Sequence, residues 1–221
     1  MRRRSPIAEG ALTPDRALAL THFPEPLRPA VEAIFRIDAT LAEVVAGTTE
    51  PQVGLIRLAW WREALERLDS DEPPAEPRLE AVANHCLPRG VSGAALSEIE
   101  DGYAALLDGS GPDRIEKAGA TLFFSIAQLI GDTDTQLAEA GALAMLARVR
   151  GLAETDVRDS ALKNMAKLGG HRFAKPLRPL TLLARLAARD FLRTSPEPEA
   201  TPGRAFAMLS HRLSGIVTRA N

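Results

Sequence analysis

Leu27, Val31, Ile34, Leu41 and Val45 recur at helical spacing between Pro26 and Gly47. That spacing puts them on one stripe of a helix, and an apolar stripe of this kind has to be covered by other elements. A second such segment runs from Pro51 to about Leu68. Leu58, Trp61, Leu65 and Leu68 share one side of it, while Arg62 with Glu66 and Glu63 with Arg67 form four-residue charge pairs on the other. Thr13-Pro14-Asp15 is a helix start: a capping hydroxyl, a proline at the first position and an acid at the positive end of the dipole. Further helices are predicted near 78–86, 92–107, 113–130, 135–153, 156–168 and Pro176–Arg193, with a last one reaching Thr218. Proline-rich loops at Ser70–Pro77 and Ser195–Pro202, Gly131-Asp132-Thr133-Asp134 and Gly169-Gly170 separate them. Helix-forming Ala, Leu, Glu and Arg abound and β-branched runs are scarce. The pattern predicts one all-α domain over residues 1–221, a helical bundle with its apolar faces turned inward.

The net charge of −2 points to no particular partner, but the charge is uneven. Residues 161–221 carry eleven Lys/Arg against three Asp/Glu, and residues 1–160 carry sixteen against twenty-six. The basic part either packs on the acidic part and is solvated, or meets an anionic membrane or another acidic surface. The one cysteine, Cys86, allows no disulfide within the chain and suits a reducing compartment. Met1–Arg4 is not followed by an apolar segment of the secretory type, and no run of apolar residues is long enough to span a bilayer. The expectation is a cytoplasmic protein, with peripheral membrane contact through residues 161–221 as one option and no nucleic-acid partner.

Several segments together resemble the squalene/phytoene synthase family. The most specific is Glu50-Pro51 through Leu65, with its Trp60-Trp61 pair. Asp15-Arg16, Leu27-Arg28-Pro29-Ala30, Ile34-Phe35, Ala118–Phe123 through Gly131, Arg178-Pro179-Leu180 and Arg204–Gly215 are similar to other parts of the family pattern. The resemblance implies an isoprenoid-synthase-type bundle. It also implies an activity: joining two prenyl diphosphates in a central cavity, where two aspartate-rich motifs on facing helices hold Mg²⁺. Diphosphate departs as a polyanion, and divalent cations stabilise it.

The ligands for that chemistry are thin in this chain. The first motif falls at positions 42, 43 and 46, occupied by Ala42, Glu43 and Ala46. The second falls on the helix beginning at Gly141, where Met145, Arg148, Gly151 and Leu152 stand, with Asp156 the one acid near its end. Tyr103 is the single tyrosine, where active members place several in the cavity. The resemblance therefore implies vestigial catalytic positions at Asp38, Glu43 and Asp156. It implies a cavity lined by Ile34, Phe35, Arg57, Met145, Arg148 and Leu152, and no resident metal.

Asp38 lies on the apolar stripe one turn before position 42, and Arg148 lies on an otherwise small and apolar face with Gly141, Ala144 and Met145. If both helices face the cavity, Asp38 or Glu43 pairs there with Arg148 or Arg57, since a buried charge needs a partner. Otherwise both groups sit at the bundle edge and reach water. Trp60 and Trp61 are read as core packing, Asp132 with Asp134 as a cap, Asp156 with Asp159 as first-turn acids, and the four histidines as lacking metal spacing.

Two functions are consistent with these residues. In one, the chain keeps the bundle and has lost Mg²⁺-dependent prenyl-diphosphate catalysis. It would act as a pseudoenzyme of binding or assembly type, similar to the short, aspartate-poor members related to a respiratory complex I assembly factor. Its partner would be a protein, an isoprenoid or lipid-like ligand, or a membrane surface. In the other, it is a prenyl transferase of isoprenoid biosynthesis with a displaced Mg²⁺ site built from Glu43, Asp38 and Asp156.

Overall fold

The computed structural model describes residues 11–152 and 156–219, and the basic start at Met1–Arg4 lies outside them. Eleven α-helices follow one another among the described residues: α1 Pro14–Thr21, α2 Arg28–Ala46, α3 Pro51–Arg67, α4 Pro77–His85, α5 Gly93–Ser97, α6 Glu100–Asp108, α7 Pro112–Ile130, α8 Leu137–Val149, α9 Arg158–Lys167, α10 Arg178–Phe191 and α11 Pro202–Ser214. The chain is all-α, as its periodicity requires. The extended pairing among the described residues amounts to two isolated bridges, Gly169 with Thr218 and Arg172 with Ile216.

Helix α2 is the centre of the bundle. Val31, Ile34, Leu41 and Val45 of its predicted stripe are buried, and so are Ala30, Ala33, Phe35, Ile37, Ala39 and Val44 around them, while Leu27, in the turn before the helix, is half-buried. A helix apolar on so much of its circumference has to be covered on several sides, and α1, α3, α4, α6 and α7 all pack on it. One apolar cluster runs without interruption from Phe23 to Val217. Beyond α7 the bundle continues through α8 to α10, and α11 with α1 closes it against α10.

The most extensive helix contact is between α7 and α8, where Gly119 and Gly141 face one another. A methyl group on either glycine would overlap the backbone of the other. Only hydrogen fits there, so α8 can lie deep against α7. That depth sets the position of Met145 and Arg148, one and two turns further along α8.

Four sequence expectations need correction. The segment 92–107 is two helices, not one. Asp69 accepts the amide hydrogens of Gly93 and Ala94 at 2.6 and 2.9 Å, which anchors α5 at the end of α3. Gly102 of α6 packs instead on Ala118 of α7, and one straight helix cannot follow both supports. The helix expected to open at Pro26 begins at Arg28, after a 3-10 turn at Glu25–Leu27. The last helix stops at Ser214, not Thr218, because Gly215 turns the chain with φ of 73°. The Arg178 guanidinium then donates to the exposed carbonyls of Arg212 and Leu213 at 3.0 and 2.8 Å. His211, beside this turn, spans the Thr181 hydroxyl and the Ile216 carbonyl at 2.8 and 3.1 Å. Burial, with three nearby arginines, pushes its pKa down to about 4. Finally, the two tryptophans part company. Trp61 is buried beneath the Arg78 guanidinium, whereas Trp60 stands edge-on to it and is 49% exposed. Adjacent helix positions differ by about 100° in direction, so one buried face takes only one of them.

Candidate functional site: a buried charge cluster beneath a small cavity

Asp38 of α2 is fully buried. Three donors from three other helices converge on its carboxylate. Arg16 of α1 reaches Oδ2 through Nη1 at 2.5 Å. Arg148 of α8 approaches the same oxygen through Nε at 3.4 Å. The Tyr103 hydroxyl of α6 donates to Oδ1 at 2.7 Å. Burial raises the pKa of Asp38, but the two guanidiniums and the tyrosine outweigh it, and the carboxyl lies below its ordinary value. Burial and the adjacent carboxylate push the Tyr103 phenol upward, so it stays protonated as a donor. Burial disfavours the charge on Arg148, but the Asp38 carboxylate outweighs it and the guanidinium pKa lies above its ordinary value. The second positive charge has further support: the Arg16 guanidinium lies 4.9 Å from the centre of the Phe35 ring and donates to the Phe35 carbonyl at 3.4 Å.

Arg16 and Arg148 form part of the wall of a cavity of about 240 Å³ above this cluster, between α1, α7, α8, α10 and the segment leading into α11. Its rim carries acids, each already engaged. Arg204, 6% exposed, joins Asp15 through Nε at 2.5 Å and Asp190 through Nη1 at 2.6 Å. Glu197 is held by Arg189 and Arg193 at 2.7 and 3.2 Å, and hydrogen bonds from Arg189 and Thr201 bring its pKa down to about 2. Glu199 accepts the Asp15 amide hydrogen at 3.1 Å. Burial raises the pKa of Asp15, with Arg204 opposing.

This geometry unites some of the sequence candidates and separates others. Asp38 and Arg148 meet inside the bundle, not at its edge. Met145 and Arg148 line the cavity, whereas Ile34, Phe35, Arg57 and Leu152 do not. Ile34 and Phe35 are sealed in the core, and it is Arg16 above the Phe35 ring that faces the opening. Arg57 is exposed, because the buried face of α3 runs through Gly54, Leu58, Trp61 and Leu65. Leu152 lies past the end of α8 and no longer shares its face. Glu43 is exposed on α2 while Ala42 is buried. Asp156 is exposed and accepts the Arg158 amide hydrogen at 2.9 Å at the start of α9. Asp134 accepts the Gln136 amide at 2.8 Å and also meets His171. Arg16, Tyr103 and Arg204 were not expected at the site.

The donor set does not fit Mg²⁺. That ion needs about six oxygen ligands, supplied in part by carboxylates free to turn toward it. Among the described residues no group of three or more His, Cys, Asp or Glu side chains is disposed to hold a metal. Positions 42 and 46 are alanines, and the rim acids bind guanidiniums or a backbone amide.

The cluster makes a stability prediction. Asp38→Asn leaves two guanidiniums without their counter-charge and is expected to destabilise the fold by about 3–5 kcal/mol. Tyr103→Phe, losing one hydrogen bond to a charged group, is expected to lose about 2 kcal/mol. Because the folded pKa of Asp38 is depressed, its contribution is complete above the unfolded value of about 4 and is lost as the pH falls through the lower folded value. Urea unfolding as a function of pH checks both statements, and Asp38→Asn should lack this part of the acid limb.

A family model for squalene/phytoene synthase matches residues 12–130, which takes in α1 to α7 and three of the four members of the cluster. No curated protein and no solved structure matches the chain. With more than half of its length matched, on an all-α bundle of this kind, the chain belongs to the squalene/phytoene synthase family.

Proposed function

We propose that this protein keeps the bundle of its family without Mg²⁺-dependent prenyl-diphosphate chemistry, and works as a binding or assembly-type protein. The observation that carries the reading is the Arg16–Asp38–Arg148–Tyr103 cluster, in the part of α2 and α8 where the family resemblance implies metal-binding acids. The cavity above it, about 240 Å³, is also below the range of about 300–1,000 Å³ usual for sites enclosing a drug-sized ligand. Two prenyl chains need more room than that. The displaced-site alternative requires Asp38, Glu43 and Asp156 to cooperate. One of these is buried under arginines and the other two are exposed.

A surface suited to binding lies on α11. Phe206, Leu209 and Leu213 share its outer face at 72, 54 and 74% exposure. Arg172 and Lys175 are exposed. Burial, followed by the nearby Arg172 and Arg212, lowers the pKa of Arg178, and Arg212 reaches the Lys175 carbonyl. An apolar face edged with cations is the form that attaches to an anionic membrane surface. No helix among the described residues is long and apolar enough to cross a membrane, so attachment would be lateral.

Incubation with farnesyl or geranylgeranyl diphosphate and Mg²⁺ should release no diphosphate above background. Mg²⁺-dependent release by the wild-type protein overturns the non-catalytic reading, and its loss in Glu43→Gln would identify the displaced site. The binding half is checked by co-sedimentation. Vesicles containing phosphatidylserine should retain the protein, while neutral vesicles should not, and Phe206→Ser with Leu213→Ser should abolish retention. Equal retention by both vesicle types, or none by either, contradicts the membrane assignment.

A further inference from the structure

A second depression, separate from the Asp38 cavity, lies between α9, the end of α10 and the chain after α11. It encloses about 680 Å³, within the usual size range of small-molecule sites. Leu162, Met165 and Ala166 of α9 and Leu192 at the end of α10 supply an apolar side. Leu162 and Leu192 are 39 and 70% exposed. The third wall is the segment after Gly215. It is pinned by the Gly169–Thr218 bridge, by the Gly170 amide donating to the Thr218 carbonyl at 3.0 Å, and by the Thr218 hydroxyl donating to the Met165 carbonyl at 3.0 Å. These bonds hold the wall in place, so the depression is a built feature of the fold.

Its polar end is cationic and unbalanced. Arg185 and Arg219 both border it. Arg185 donates through Nη1 to the Val217 carbonyl at 2.8 Å, which fixes its guanidinium at the groove. Arg189 is close enough to disfavour its charge further, but Arg189 has its own carboxylate in Glu197. Among the described residues no carboxylate forms an ion pair with Arg185 or Arg219. Burial, followed by the repulsion of Arg189 and Arg219, brings the pKa of Arg185 below the ordinary arginine value. The contrast with the Asp38 cavity is direct: there every guanidinium of the cluster faces an acid, whereas here two border the same partly apolar groove and repel one another. An anion placed between them relieves that repulsion and forms charge-assisted hydrogen bonds.

We propose that this groove is a binding site for a single-chain anionic amphiphile, with its acidic head between Arg185 and Arg219 and its hydrocarbon tail along Leu162, Met165 and Leu192. The head is a carboxylate or a phosphate monoester, as in a fatty acid or the phosphate of a long-chain alcohol. The site is independent of the Asp38 cluster and of the α11 face, and stands whether or not the protein turns over prenyl diphosphates.

Isothermal titration of the full chain, below the micellar concentration of each probe, tests the assignment. The probes are dodecanoate, dodecyl phosphate, dodecanol and dodecyltrimethylammonium. Dodecanoate or dodecyl phosphate should bind at one site, and the tighter of the two names the head group. Dodecanol and the cation should bind at least about tenfold more weakly, because they lack the charge-assisted bonds. Arg185→Gln, which removes the charge and keeps a polar side chain, should weaken the anion about tenfold or more. Leu192→Asp, at an exposed position that leaves the core intact, should weaken it as well. Equal binding of all four probes, no binding of either anion, or unchanged anion affinity in both variants overturns the proposal.

Discussion

One carboxylate ties four helices of this bundle together. Asp38 on α2 receives Arg16 from α1, Tyr103 from α6 and Arg148 from α8. A fully buried carboxylate is strongly unfavourable unless its lone pairs and charge are answered. Any repacking that moved α1, α6 or α8 away from α2 would strand it. The cluster therefore fixes the mutual placement of these helices as well as adding to their stability, and the cavity above it inherits its shape from that placement.

The chemistry open to the cavity follows from the same interaction. A carboxylate held by two guanidiniums and a phenol is a poor metal ligand, since a cation would have to displace donors that already neutralise it. The rim repeats the arrangement with Arg204 between Asp15 and Asp190. Arg16, Arg148 and Arg204 are each matched to an acid of the chain. At this cluster the buried carboxylate is neutralised by arginines that the chain supplies itself.

Much of this was legible in the sequence, and the reason is periodicity. Asp38 stood out because it interrupts an apolar stripe, and Arg148 because it interrupts a face of small residues. Of the two placements the sequence leaves open, meeting inside the bundle or sitting at its edge, the structure has the first. Arg16 and Tyr103 were not placed at the site, although one belongs to the Asp15-Arg16 pair and the other is the only tyrosine. Their roles depend on how α1 and α6 lie against α2, which no local pattern encodes. The assignment of Ile34 and Phe35 to the cavity wall failed for a related reason: apolar residues on the inward side of a helix are core or cavity lining according to what packs opposite. The split between α5 and α6 and the stop at Gly215 were missed because both answer to distant partners, Asp69 and Ala118 in one case, Phe173 and Arg178 in the other. That no carboxylate among the described residues forms an ion pair with Arg185 is equally invisible in a sequence, where only the excess of basic residues can be read.

The central proposal is that the acids around the Asp38 cavity, held by arginines or a backbone amide, do not take up a divalent cation. Mn²⁺, a spectroscopic substitute for Mg²⁺, tests this most directly through its paramagnetic resonance signal during titration of the full chain in the presence of inorganic diphosphate. The account predicts that the free-ion signal grows as in buffer containing diphosphate alone, with no stoichiometric protein site. One or two tight sites per chain, lost in Glu43→Gln or Asp156→Asn, would contradict it.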